Sequence, residues 1–226
     1  MPEYEDEAPH VNDLTPLTGA NVEPMLLIDV STSMGESAAP GSRITRKDVI
    51  EEILPTVIEA LEDEDSEAEG ERAAGADEAE IGGVYTIAFS SAATDMEDLN
   101  SANIDQKMAQ IPWGGGTRIV EGWNMLTGHY VQEFGDRPLM KRPKLAALIV
   151  TDGEAQDGEA FGRILADKDD MVFAVVAVIG HGKAHDATLT QYKQIAKGNN
   201  HVRVLSFDAV TSGRDIAGNL LTLLGK

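Results

Sequence analysis

Apolar and polar positions follow two rhythms along this chain. Residues 25–30, 83–89, 145–150 and 171–179 form short, nearly unbroken apolar runs rich in Val, Ile, Leu, Phe or Ala. Runs of this length and composition suit parallel strands covered on both faces. Residues 201–207 make a weaker run that predicts an edge strand, and 92–99 predicts a short antiparallel partner for the second strand. Between the runs the rhythm changes. Ile50, Ile53, Leu54, Val57, Ile58 and Leu61 recur three and four positions apart, so 43–62 predicts an amphipathic helix. Similar patterns predict helices at about 102–110, 118–134, 158–168, 187–197 and 212–224. Strand and helix in alternation imply a three-layer, doubly wound α/β fold with a mostly parallel, Rossmann-like sheet.

The chain has 226 residues, 42% of them hydrophobic, enough for one large domain with a substantial core. Its formal charge of −21 is concentrated. Residues 1–23 carry six acids and no Lys or Arg, and residues 63–80, DEDSEAEGERAAGADEAE, carry nine acids against one Arg. Both stretches combine low hydrophobicity with like charge, the composition of solvated, disordered chain. The expected organisation is therefore an acidic extension at 1–23 and one domain over 24–226 with an acidic insertion at 63–80. These segments either confer solubility or dock a basic partner, and a salt-rich cytoplasm would select a similar composition. Excess negative charge argues against nucleic acid and anionic membrane surfaces as partners, since cationic patches supply that attraction. Cysteine is absent, which removes disulfides and thiolate metal sites. The start, MPEYEDEAPH, lacks a basic region followed by an apolar one, and no apolar run approaches spanning length, so a cytoplasmic protein is expected.

Candidate chemistry sits where the strands end. In LLIDVSTSMGE the first apolar run closes on Asp29, followed by Ser31 and Ser33. In an extended chain alternate side chains share a face, so one carboxylate and two hydroxyls would project together. Asp152, in LIVTDGE, follows the 145–150 run, and Thr117 follows three glycines in WGGGTRIVEGW. In a doubly wound sheet, ligands bind beyond the carboxyl ends of the strands where the order reverses, and these segments can meet there. Taken singly, Ser31, Ser33 and Thr117 read as caps and turn formers, with Thr117 capping a helix that begins near Arg118. Taken with both aspartates, they read as an all-oxygen metal site. His181 and His185, in IGHGKAHDA, match no metal-ligand spacing and read as an ordinary surface loop. Trp113 and Trp123 read as packing residues, Trp113 also as a candidate contact rim beside the glycines.

Asp29-Val30-Ser31-Thr32-Ser33 resembles the DxSxS motif of the von Willebrand factor type A (vWA) domain. Thr117 in its Gly-Gly-Thr loop and Asp152 in Thr-Asp-Gly resemble the other two motifs, and the likeness spans roughly 24–225 in the expected order. The resemblance implies a metal-ion-dependent adhesion site (MIDAS) binding Mg²⁺, with Mn²⁺ or Ca²⁺ as alternatives. It gives Ser31, Ser33 and Thr117 as hydroxyl donors and places Asp29 and Asp152 in the inner or outer coordination sphere. Such a site suits a hard, octahedral ion that keeps several waters. Because three donors are neutral, the ion stays electrophilic, and the family uses it to capture an Asp or Glu carboxylate of a partner protein. Small bacterial relatives of this look serve stress-response systems or act as ATPase adaptors. Two other readings stand beside this one. A metal-dependent phosphatase with an aspartate nucleophile would carry a second acid two residues on, where this chain has Ser31, and GxxxxGK[ST], GxSxG and HExxH are absent. A degenerate structural vWA domain would bind no metal. The reading favoured is a protein-binding module that is not an enzyme.

Overall fold

The apolar runs pair into one six-stranded sheet. The computed structural model describes residues 21–70, with backbone only over 62–70, and residues 83–167, 169–207 and 213–225. In chain order the strands are β1 (Val22–Asp29), β2 (Val84–Phe89), β3 (Ala93–Leu99), β4 (Lys144–Thr151), β5 (Val172–Ile179) and β6 (Val202–Phe207). The helices are α1 (Arg46–Gly70), α2 (Ile104–Gln110), α3 (Ile119–Phe134), α4 (Gly158–Ala166), α5 (Lys183–Gly198) and α6 (Gly213–Leu224). The sheet runs β3-β2-β1-β4-β5-β6. Only β3 is antiparallel, pairing β2. The strand order reverses between β1 and β4, which lie side by side with Ile28 opposite Val150. Asp29 and Asp152 therefore leave the sheet at the same end, at its switch point.

The period of two sorts the strand side chains into two cores. Leu26, Ile28 and Val30, with Ala146, Leu148 and Val150, face a layer made by α1 and α6. Met25 and Leu27, with Leu145, Ala147 and Ile149, face α3, α4 and α5. Every side chain from Leu26 to Ile28 and from Leu145 to Val150 is fully buried. Strands covered on both faces need apolar residues at successive positions, which is why they appear in the sequence as continuous runs. On α1 the residues spaced three and four apart, Ile50, Ile53, Leu54, Val57, Ile58 and Leu61, fill the first core. Trp123 lies in the second, edge-on to Phe161 with ring centroids 5.6 Å apart, as a packing residue.

Several boundaries differ from the expected ones for local reasons. Helix α1 begins at Arg46 rather than 43, because Thr45 and Asp48 close a reciprocal cap. The Thr45 backbone N–H donates to Asp48 Oδ2 at 2.7 Å and the Asp48 N–H donates to Thr45 Oγ1 at 3.1 Å. The same helix continues to Gly70, into the acidic segment in which disorder was expected. Strand β1 begins at Val22, inside the stretch assigned to the extension, and takes in Pro24. Proline lacks an N–H, and β1 pairs only β4 until Leu26, so no second ladder is interrupted there. The rest of both acidic segments lies outside the described residues. Among those described, no helix is long and apolar enough to cross a membrane.

Candidate functional site

Three segments meet beyond the carboxyl ends of β1 and β4. The first is the turn after β1. Asp29 is fully buried, its Oδ1 accepting from the Ser31 backbone N–H at 2.9 Å and its Oδ2 from Thr151 Oγ1 at 2.8 Å. The first bond folds the chain back on its own aspartate, and the Met34 N–H then donates to the Ser31 carbonyl to start a short 3-10 turn over Thr32–Gly35. This turn brings the Ser31 and Ser33 hydroxyls to 3.0 Å from each other. Alternation along a strand suggested that they share a face. The turn goes further and puts them in contact.

The second segment is the glycine loop. The Gly114 N–H donates to the Val30 carbonyl at 2.7 Å, and the Thr32 N–H donates to the Gly115 carbonyl at 3.1 Å. Gly115 has φ +88°, and a Cβ there would lie 2.7 Å from Ser91 Oγ, so a glycine is required both for the conformation and for the approach. Ser91 Oγ in turn accepts from the Gly116 N–H at 2.7 Å. Thr117, buried with 5% exposure, is fixed through its backbone, whose carbonyl accepts from the Gln156 N–H at 2.9 Å. The expected role of Thr117 as the cap of α3 is not what the structure has. Asp157 caps that helix from another loop, its Oδ1 and Oδ2 accepting from the Ile119 and Val120 N–H groups at 3.0 and 3.2 Å. The Thr117 side chain is thus not needed to finish the helix.

The third segment follows β4. Asp152 is fully buried, and its Oδ1 accepts from the Glu154 N–H at 2.9 Å. Its Oδ2 accepts from Arg46 Nη1 at 2.6 Å, in a buried ion pair that joins the start of α1 to the end of β4. Arg46 is 1% exposed. Its Nη1 also approaches the Ser33 carbonyl at 3.3 Å, and its Nη2 lies 3.5 Å from Glu154 and 3.7 Å from Glu36. Nothing in the local sequence singles out Arg46, which stands in a short basic run at a helix start. Thr151 was likewise unmarked, although it sits beside Asp152 in the motif.

The two carboxylates feel each other. Burial pushes the Asp29 carboxyl up to about 6, and the neighbouring charge of Asp152 adds to that, against the opposing hydrogen bonds from Ser31 and Thr151. A buried carboxyl held this way gains from any cation brought near it. His185 corrects its sequence reading. Helix α5 begins at Lys183, four residues before the expected start, and His185 is buried in its first turn against the Asp152 backbone. Burial, first of all, lowers its pKa. Trp113 is half-buried at the rim, with Lys47 Nζ 4.9 Å from its ring centroid.

The five residues singled out by their spacing thus lie on three segments that the fold ties together. Among the described residues no three His, Cys, Asp or Glu side chains cluster as a metal site. The oxygens gathered here are those of two carboxylates and hydroxyls.

No protein-family model matches the chain, and no curated protein matches it at the sequence level. Solved structures do match in fold. The SpRpn10 VWA domain superimposes with a TM-score of 0.60 at 12% identity, covering 87% of this chain and 93% of that one. The fold is that of a VWA domain. Manganese-loaded Plasmodium vivax TRAP protein superimposes with a TM-score of 0.58 at 14% identity, over 91% of this chain and 75% of that one. An aerotolerance-related membrane protein from Bacteroides fragilis gives 0.54 at 16% identity, over 89% and 99%. At these identities the likeness establishes the VWA fold, and the chemistry has to be argued from the residues.

Proposed function

We propose that Asp29, Ser31, Ser33, Thr117 and Asp152 hold a divalent cation, Mg²⁺ in the first place, and that the ion captures an Asp or Glu carboxylate of a partner protein. The observation that carries this reading is the 3.0 Å separation of the Ser31 and Ser33 hydroxyls beside the buried Asp29. Ligands at adjacent corners of an octahedron around Mg²⁺, each about 2.0–2.1 Å from the ion, are about 2.9 Å apart. The donor chemistry fits too. Hard oxygens, few formal charges and a buried carboxylate suit Mg²⁺ or Mn²⁺ over softer ions. That the TRAP protein, similar in fold, is manganese-loaded supports a divalent ion. When bound, the ion would supply Lewis acidity toward a carboxylate oxygen. The protein's part is to present neutral hydroxyls, hold the loop of Thr117 against the β1 turn, and keep the carboxylates dry.

A binding module is favoured over a hydrolase by the environment of the second acid. Both oxygens of Asp152 already accept hydrogen bonds, one from Arg46, and its neighbour His185 faces the Asp152 backbone. Neither is placed as a free general base. Half-buried Trp113 and exposed Ile44, at 58%, offer apolar contact for a partner near the same end of the molecule. The acidic segments would add attraction for a basic region of that partner. The test is affinity capture from a cell extract on the immobilised protein, in excess Mg²⁺ and in chelator. The reading predicts proteins retained in Mg²⁺ and released by chelator, with Asp29→Ala retaining none of them. Capture that survives both chelator and Asp29→Ala would overturn it.

A further inference from the structure

Arg46 is the unexpected member of this site. It is the largest fully buried side chain of the molecule's described residues and carries a full charge. Its berth is close-fitting. The guanidinium lies against Gly180, where a Cβ would come within 2.8 Å of Nε. Nη1 reaches Asp152 Oδ2 at 2.6 Å and the Ser33 carbonyl at 3.3 Å, so one group grips the residues of two of the three converging segments. The other oxygen of Asp152 accepts the Glu154 N–H. Asp152 is therefore held from both sides, and its negative charge is already matched by a cation of the protein itself. Two bare carboxylates would neutralise a divalent ion. With Arg46 in place, the buried set of Asp29, Asp152 and Arg46 carries a net charge of only one negative unit.

We infer that Arg46 is a positioning residue that sets the strength of the metal site. It retains Asp152 as its own partner, away from direct bonding to the ion, and its charge opposes the ion's. The inference rests on the metal-binding reading of the same five residues. Its consequence is functional: a cation held by hydroxyls and one unshared carboxylate remains short of negative charge, and a partner's carboxylate supplies what is missing. Replacing Arg46 by a neutral residue would release Asp152 to the ion. The site would then bind metal more tightly and depend less on the partner. A monovalent and a divalent cation several ångströms apart repel by roughly a factor of ten in a binding constant even at a water-like dielectric.

The test is calorimetric titration of the metal-stripped full chain with Mg²⁺, and separately Mn²⁺, for the wild type, Arg46→Gln, Asp152→Asn and the double variant. Arg46→Gln is expected to bind Mg²⁺ about tenfold tighter than the wild type. Arg46→Lys, which keeps the charge, is expected to stay within about threefold of the wild type on the same scale. Arg46→Gln leaves a buried carboxylate unpaired and can fail to fold. The double variant removes both charges and avoids that cost. It is expected to bind tighter than Asp152→Asn, in which the guanidinium keeps its charge but has lost its buried partner. Equal or weaker binding by a folded Arg46→Gln protein, or by the double variant relative to Asp152→Asn, would overturn the inference. If wild-type protein takes up no Mg²⁺, the metal-binding reading falls and takes this inference with it. One ion bound by the wild type and lost in Asp29→Ala, without tightening on removal of Arg46, overturns the role of Arg46 alone.

Discussion

The middle of the sheet and its carboxyl end are built on opposite principles. From Leu26 to Ile28 and from Leu145 to Val150 every buried group is apolar, and neighbouring strands supply the same contacts many times over. Within two residues further, the same strands and the turn after β4 bury Asp29, Thr151 and Asp152, with Ser31, Thr117 and Arg46 also buried. Burying a charge is costly unless it is paired and hydrogen-bonded, and here Asp29 and Asp152 are each satisfied by two particular partners, one of them from a distant segment. The middle tolerates error because burial is non-directional. The end does not, and a fold that needed only stability would have no reason to place two carboxylates there.

Substitutions at the two ends of this contrast should separate stability from ion binding. The largest loss of stability is expected in the middle. Leu148→Ala should cost about 2–5 kcal/mol in denaturant unfolding, while the further stabilisation given by Mg²⁺ stays as in the wild type. Asp29→Ala should do the reverse. Saturating Mg²⁺ at about 100 times its dissociation constant adds roughly 2.7 kcal/mol to the wild type, and that increment should vanish in the variant, as read from melting curves with and without metal.

Acidity should weaken ion binding at the end and spare the middle. The folded, metal-free protein holds a proton on Asp29 up to about pH 6, whereas the unfolded chain releases it near 3.8. Metal-free stability from this group therefore falls as pH rises through that window and is level above it. The ion needs the carboxylate, so Mg²⁺ affinity should be full above about pH 6 and drop by about tenfold per unit below it, measured by titration at pH 5 and 7. Asp157→Ala should cost about 1 kcal/mol, since it removes the cap of α3. Thr117→Ala, which leaves that cap intact, should change stability by less than about 0.5 kcal/mol. It should keep most Mg²⁺ affinity and lose partner capture. Loss of ion and partner together would make Thr117 an ordinary ligand, and retention of both would place the interaction elsewhere.

What could be read in the sequence follows the same division. The middle is written locally: continuous apolar runs announce strands buried on both faces, and the spacing of Ile50 to Leu61 announces the core face of α1. The grouping of Asp29, Ser31 and Ser33 was legible because their spacing of two is itself a strand property. Their support was not. Arg46 is 106 residues from Asp152, and Thr151 is 122 from Asp29, so no local pattern pairs them. Asp157 caps α3 from 38 residues away, which is why the cap was assigned to Thr117, its neighbour in sequence. His185 misled because the first turn of α5, KAHD, has no apolar period, and the buried face there is made by the histidine. The Thr45–Asp48 cap was legible as T-x-x-D and would have placed the start of α1 correctly.

The central claim is that the carboxyl end of this sheet is a cation site built around Asp29, Ser31, Ser33, Thr117 and Asp152. The most direct measurement is calorimetric titration of Mg²⁺ into metal-stripped protein at pH 7.5, run in parallel on wild type and Asp29→Ala, with circular dichroism to show both folded. The predicted result is one ion bound per wild-type chain and none by the variant. No heat of binding in the wild type, or an equal isotherm from the two proteins, would contradict it.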